Sequence, residues 1–274
     1  MSTGPAVRTG PTASTAPAGS RPDGARGVAL VTGAGRGIGA EVAARLSREG
    51  YAVALTARSA DQLQAAAGEC RGPTLVVPAD ITTASAVDDV FGAVETAWGP
   101  VDVLVANAGA GASAPIDRIT DDDWDRILAL NLTAPFRCLR RAVPAMKQRG
   151  HGRIVVLASV AAKHGDPYIA AYTASKHGVL GLVRSAAAEL ARTGVTVNAV
   201  CPAYVDTPMT EFSVDTIVNT TGRSADEARL ILANKQPIGR LITVQEVAEA
   251  VWYCVVNGAV TGQGLNVDGG AVQS

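Results

Sequence analysis

Aromatic residues make up only 4% of this 274-residue chain, and it carries just three histidines and four cysteines. A core with so few rings is built from Ala, Val, Leu and Ile, which supply most of the 47% hydrophobic content. The cysteines, at 70, 138, 201 and 254, form no C-x-x-C pair, which excludes a zinc-ligand pattern and a disulfide framework. They read as reduced thiols of a cytoplasmic protein. Neither charge sign prevails: 24 Lys and Arg against 25 Asp and Glu leave a formal net charge of -1, so no electrostatic ground exists for a nucleic-acid or anionic-membrane partner. No apolar run approaches the roughly 18 residues of a membrane helix. The start lacks the charged-then-apolar order of a secretory signal. These absences point to a small-molecule partner.

What is present divides the chain in two. Residues 1 to 26 are rich in Pro, Ala, Gly, Ser and Thr, with Arg8, Arg21 and Arg26 and one acid, Asp23, and are expected to be a disordered extension. An organellar transit peptide is the other reading of such a start, but the prolines at 5, 11, 17 and 22 break the helix it requires. From residue 27 onward a single α/β domain is expected. Short apolar runs at 28–31, 52–56, 74–77, 101–106, 153–158, 195–200 and 264–267 alternate with Ala- and Leu-rich stretches of helical length. Unbroken apolar strands between helices imply a parallel sheet covered on both faces, with ligands at the carboxyl ends of the strands.

The first strand runs into Thr32-Gly33-Ala34-Gly35-Arg36-Gly37-Ile38-Gly39 and then a helix. Glycines here allow a tight turn and bring backbone N–H groups and a helix N-terminus up to a pyrophosphate. The second strand ends in Thr56-Ala57-Arg58, without the acid that would bond a ribose 2′-hydroxyl. Arg58 and Arg36 can instead clamp a 2′-phosphate, which favours NADP(H) over NAD.

The fifth strand delivers Ser159, and thirteen positions later comes Tyr172, with Lys176 four residues beyond it on the same helical face. A phenol of ordinary pKa about 10 is a poor acid at neutral pH until a cation stabilises its phenolate, and Lys176 is the expected cation. Ser159 can hold a carbonyl oxygen while Tyr172 protonates it, turning a ketone into an alcohol.

With the glycine turn, the Ser-bearing strand and Tyr-x-x-x-Lys together, the chain resembles the short-chain dehydrogenase/reductase family from Gly27 to about Gly270. The resemblance implies a Rossmann-type, doubly wound, seven-stranded parallel sheet with a small helical substrate lid at about 208–239. It implies Asn131 as a fourth catalytic residue that kinks its helix and holds a water. It also implies Asp80 and Ile81 at an adenine, Asn107-Ala108-Gly109 passing over the cofactor, and Pro202, Val205 and Thr207 beside the nicotinamide. Ala106 stands where the family usually has a further Asn. Tyr168, Tyr204, Met209 and Phe212 are the expected substrate walls, and as apolar residues they also read as ordinary packing. No metal is implied.

Residues 190–202 and 237–240 look most like bacterial 3-oxoacyl-(acyl carrier protein) reductases and discrete polyketide ketoreductases. That likeness implies a 3-oxoacyl or polyketide thioester on acyl carrier protein or coenzyme A. Arg137, Arg140, Arg141, Lys147, Arg149 and Arg153 could meet an acidic carrier protein, or simply line a solvated helix face. Two alternatives stay open: a reductase of a free ketone such as a steroid, sugar or terpenoid, and a non-catalytic NADP-binding sensor. A homodimer or homotetramer is expected by the same likeness.

Overall fold

The computed structural model describes residues 19–273. Seven parallel strands, β1 (Gly27–Thr32), β2 (Tyr51–Thr56), β3 (Thr74–Val76), β4 (Val103–Ala106), β5 (Gly152–Leu157), β6 (Val195–Pro202) and β7 (Gly264–Val267), form one sheet in the order β3-β2-β1-β4-β5-β6-β7. The connections are helical: α1 (Gly37–Arg48), α2 (Ala60–Gly68), α3 (Ala84–Trp98), α4 (Asp121–Leu128), α5 (Ala134–Arg149), α6 (Ala170–Leu190), α7 (Pro208–Thr221), α8 (Ala225–Asn234) and α9 (Val244–Val256).

Alternation within each strand decides which helices it meets. Val28 and Leu30 of β1 face a core shared with Phe91 and Val94 of α3, Leu139 and Met146 of α5, and Val179 and Val183 of α6. Ala29 and Val31, one residue out of step, face the other side, with Val42 and Leu46 of α1 and Val247 and Val251 of α9. Both faces are therefore dry, and the strands read as continuous rather than alternating apolar runs. Strand order reverses between β1 and β4, and the crevice at their carboxyl ends is where such sheets accept ligands.

The start of the packed domain lies earlier than expected. Residues 19–26, assigned above to the disordered extension, lie against the domain: Pro22 is buried, Arg26 N–H donates to Gly50 O at 2.8 Å, and Arg21 Nη2 donates to Asp102 Oδ2 at 2.7 Å. Asp102 also accepts from Val28 N–H at 2.9 Å, so one buried carboxylate holds both segments. The rest of the expected extension, residues 1–18, lies outside the described residues.

The 208–239 segment holds α7 and α8, which pack over a small core of their own around Val214, Ala228 and Leu232. A capping box between Ser224 and Glu227 starts α8. Gln236, 1% exposed, ties its far end down by donating to Tyr204 O and Arg240 O.

Candidate active site

The crevice is assembled from strand ends. Gly33, just past β1, and Gly37, at the head of α1, have φ of 64° and 56°, a left-handed region where a side chain is strained. A Cβ on Gly33 would lie 2.8 Å from Ala108 Cα, and one on Gly39 would overlap Gly33 O. Asn107 braces this turn from β4: its Nδ2 donates to Thr32 O at 2.9 Å and Gly33 O at 3.1 Å. Thr32 Oγ1 returns the tie by accepting from Asn107 N–H and Ala108 N–H. Bracing from Asn107 thus persists although position 106 is alanine.

Whether a dinucleotide fits can be judged from the turn itself. Helix α1, like α5, α6 and α7, has no side-chain cap, its N-cap being Arg36, whereas α2, α3, α4, α8 and α9 are each capped by a Ser or Thr side chain. Its first amides therefore remain for an outside acceptor, and the glycines beside them leave room for a phosphate to approach. The residues present fit the group.

Elsewhere on the expected cofactor surface the fit is uneven. The Asp80 carboxylate accepts from Thr82 N–H at 3.1 Å and Thr82 Oγ1 at 2.8 Å, bonds that hold its pKa below the usual range, with Arg58 adding a smaller electrostatic pull. Ile81, expected beside a ligand ring, is instead 7% exposed and buried in the core that contains Val87 and Val90. Gly35 faces Gln62 of α2. Thr207 heads α7 and its hydroxyl donates to Val205 O at 3.3 Å.

A cavity of about 110 Å³ opens between the glycine turn and α6. Ile38, Asn107, Gly109, Ser159, Tyr172, Lys176, Pro202, Val205, Thr207 and Met209 all line it. Ser159, two residues past β5, caps the following turn by accepting from Ala161 N–H at 3.1 Å. Tyr172, half-buried, lines the same wall, with Ser159 near enough to its phenol to favour the phenolate. Lys176 Nζ lies 5.7 Å from the centre of the Tyr172 ring and donates to Leu157 O at 2.7 Å.

Electrostatics at the phenol differ from the expectation that Lys176 brings it down. Desolvation raises the Tyr172 phenol above its ordinary value, and the nearby Ser159 opposes that rise without cancelling it. Burial also lowers the Lys176 ammonium from 10.5 to about 8. At Lys176, 5% exposed, removal from water is the largest influence.

Asn131 lies in a π-helical turn, Ala129–Thr133, between α4 and α5. Single π turns interrupt α-helices where a side chain must be turned toward a site. Its amide is engaged with protein: Oδ1 accepts from Ala110 N–H and Nδ2 donates to Ala110 O, both at 2.9 Å, and Nδ2 also donates to Ser175 Oγ at 3.2 Å. Ser175 was not singled out in the sequence; a hydroxyl on an inward position of an Ala-rich helix was the available signal.

A second cavity of about 200 Å³ is walled by 111–114, Ile119, Asp123, Arg126, Ala170 and Ala171, with Tyr168 and Phe212. Of the four expected substrate walls, Met209 thus lines the catalytic cavity, while Tyr168 and Phe212 form the rim of this one. Tyr204 lines neither: it packs against the α7–α8 core, and its hydroxyl accepts from Lys235 Nζ at 3.2 Å. Tyr168 has φ of 69°, the one left-handed non-glycine residue among those described.

The basic residues expected to face a carrier protein are mostly spent internally. Arg137 donates to Thr82 O, Arg141 pairs with Glu95 and Asp88, Arg149 bonds Val101 O and Asp102, and Arg153 bonds Val255 O, Gly152 O and Gly194 O. Arg140 lies over the Phe136 ring.

Among the described residues, no helix is long and apolar enough to cross a membrane, and no group of His, Cys, Asp and Glu could hold a metal ion.

Residues 27–218 match the family described as short chain dehydrogenase. The chain is 38% identical over 260 residues to the 3-oxoacyl-[acyl-carrier-protein] reductase MabA of Mycobacterium bovis, covering 93% of this chain and 97% of that one. It is 36% identical over 250 residues to a D-beta-hydroxybutyrate dehydrogenase of Rhizobium meliloti, covering 88% and 97%. Among solved structures it is similar to a variant actinorhodin polyketide ketoreductase with NADPH, at a TM-score of 0.85 and 40% identity over 89% of this chain and 97% of that one.

Proposed function

The chain belongs to the short-chain dehydrogenase/reductase family and is an oxidoreductase of that kind, and from this we propose that it reduces a 3-oxoacyl or polyketide thioester to the secondary alcohol, using NADPH. The observation that carries the reading is that Ser159, Tyr172 and Lys176 line one cavity, with the Lys176 ammonium 5.7 Å from the centre of the Tyr172 ring.

The substrate carbonyl oxygen accepts hydrogen bonds from Ser159 Oγ and Tyr172 Oη, which orients it and favours negative charge there. Tyr172 then gives its proton to that oxygen, and the phenolate left behind is stabilised by Ser159 and the Lys176 charge. Leu157 O and the π-turn Asn131 hold the lysine and its helix in place. Gly33, Gly35, Arg36, Gly37, Ile38 and Gly39 would hold the dinucleotide's pyrophosphate, Arg36 and Arg58 its 2′-phosphate, Asp80 its adenosine end, Asn107 to Gly109 its middle, and Pro202, Val205 and Thr207 its nicotinamide end. When bound, it supplies the hydride that reaches the carbonyl carbon.

A second reading, a free 3-hydroxy acid or ketone as substrate, is favoured by the internal pairing of Arg137, Arg141, Arg149 and Arg153, which removes much of the surface for an acidic carrier. The likeness to a hydroxybutyrate dehydrogenase points the same way. Initial rates with NADPH on acetoacetyl-coenzyme A, acetoacetyl carrier protein, acetoacetate and cyclic ketones decide between them. Preference for the thioesters by kcat/KM supports the first reading, and preference for acetoacetate or a cyclic ketone replaces it with the second. NADPH binding without turnover on any substrate would support a sensor.

A further inference from the structure

We propose that Ser175 is a positioning residue for this reaction, tying the peptide of Tyr172 to the Asn131 amide and through it to the loop that lines the catalytic cavity. The inference rests on the reading that Tyr172 is the proton donor.

Ser175 has no exposed surface. Its hydroxyl donates to Tyr172 O at 2.7 Å and accepts from Asn131 Nδ2 at 3.2 Å. Asn131, 1% exposed, is in turn held by the N–H and C=O of Ala110, a wall of the catalytic cavity. An unbroken hydrogen-bonded run therefore crosses from the loop after β4, through the π turn, to the backbone that carries the phenol. A serine that bonds back to the carbonyl three residues earlier competes with the helix ladder and is ordinarily a small liability. A buried hydroxyl also costs stability unless it is paired. Here the same hydroxyl meets both demands by joining two elements that each bring a group to the site.

Helix α6 is held to the sheet at a second point nearby, where Lys176 Nζ reaches Leu157 O. Two ties one residue apart in sequence, on different partners, restrict rotation of the turn from which the ring projects. That restriction matters because the influence of Ser159 on the phenol opposes desolvation and depends on where the ring sits. The other titratable groups around the phenol are Tyr204, Cys201 and Lys176. A displacement of about 1 Å at a reacting group can cost roughly a hundredfold in rate, so modest loosening is enough to register.

The experiment compares Ser175→Ala, Ser175→Cys and Tyr172→Phe with the parent enzyme. Circular dichroism and thermal melts establish the folded fraction. The readouts are kcat and KM for ketone reduction, and the phenolate absorbance titration of the ligand-free protein with the Tyr172→Phe signal subtracted. The expected result for Ser175→Ala is a kcat lower by about tenfold or more, KM changed by less than about threefold, and a phenolate midpoint moved upward as the influence of Ser159 weakens. Ser175→Cys, near in size with a weaker donor, is expected between the two and carries the test should the alanine variant not fold. Folded variants with the parent's kcat and midpoint overturn the inference. So does a kcat that falls only with the folded fraction while the midpoint stays put, since that is a stability effect. Undiminished turnover in Tyr172→Phe overturns the proposed chemistry itself, and is recognisable as such because it does not depend on Ser175.

Discussion

The Lys176 ammonium donates to the carbonyl of Leu157, the last residue of β5, at 2.7 Å. A buried charge is thus paired with a backbone dipole rather than with a carboxylate, and this leaves it poorly compensated: burial draws it from 10.5 to about 8. The unfolded chain keeps the lysine protonated up to its ordinary value. Between about pH 8 and 10.5 the unfolded state therefore binds more protons than the folded one, and this group's contribution to stability rises with pH across that window. Melting curves of the ligand-free protein should show that rise against a Lys176→Met variant, whose stability lacks the trend. Parallel pH profiles for the two proteins would show that Lys176 is not desolvated as described.

Gly39→Ala tests the close approach at the glycine turn. The added Cβ overlaps Gly33 O and lies against backbone that Asn107 braces. The expected loss is about 1–3 kcal/mol of stability, the ordinary cost of overpacking, with NADPH affinity lost alongside. Gly35→Ala, whose new Cβ lies 3.0 Å from Gln62 Cβ and 3.6 Å from its backbone carbon, should lose less stability than Gly39→Ala. Thermal melts and NADPH fluorescence titrations on both variants measure the contrast, and equal melting temperatures would remove the steric argument.

Arg58→Ala should raise KM for NADPH by about tenfold while changing KM for NADH by less than about twofold, the loss of one charge-assisted phosphate contact. Steady-state kinetics with the two cofactors give the ratio. An equal effect on both would assign Arg58 to its electrostatic contact with Asp80 alone.

Tyr168 keeps a left-handed backbone, with its carbonyl accepting from Ala114 N–H at 2.8 Å. Such a conformation costs a non-glycine residue about 1–2 kcal/mol. Tyr168→Gly should therefore leave the melting temperature unchanged or raise it, while raising KM as the rim of the second cavity loses its ring. Tyr168→Val, branched at Cβ, should melt lower. A glycine variant with unaltered KM for the best substrate would separate this ring from substrate binding.

Strand positions were legible from residues such as Val28 to Val31 and Ala52 to Leu55 because a strand buried on both faces must be apolar at every position. Ser159, Tyr172 and Lys176 were legible because fixed spacing on a strand end and one helical face carries geometry in itself. The packing of Ile81 and Tyr204 was not legible, since apolar and aromatic side chains look alike whether they wall a ligand or a core. The internal partners of the α5 arginines, Glu95, Asp88 and Thr82, were not legible because they sit far away in sequence.

The sequence by itself determined the parallel α/β sheet, the glycine turn at its first crossover and the trio that meets at the cavity, because local periodicity and short spacings specify these. Only the tertiary structure decided that desolvation is the largest influence on the phenol of the ligand-free protein. It alone joined Ala110, Asn131 and Ser175 to Tyr172, turned Ile81 into the core and pinned residues 19–26 against Asp102. Each of these depends on contacts between segments distant in the chain and on how much water packing leaves around a charge, and neither is written in the order of the residues.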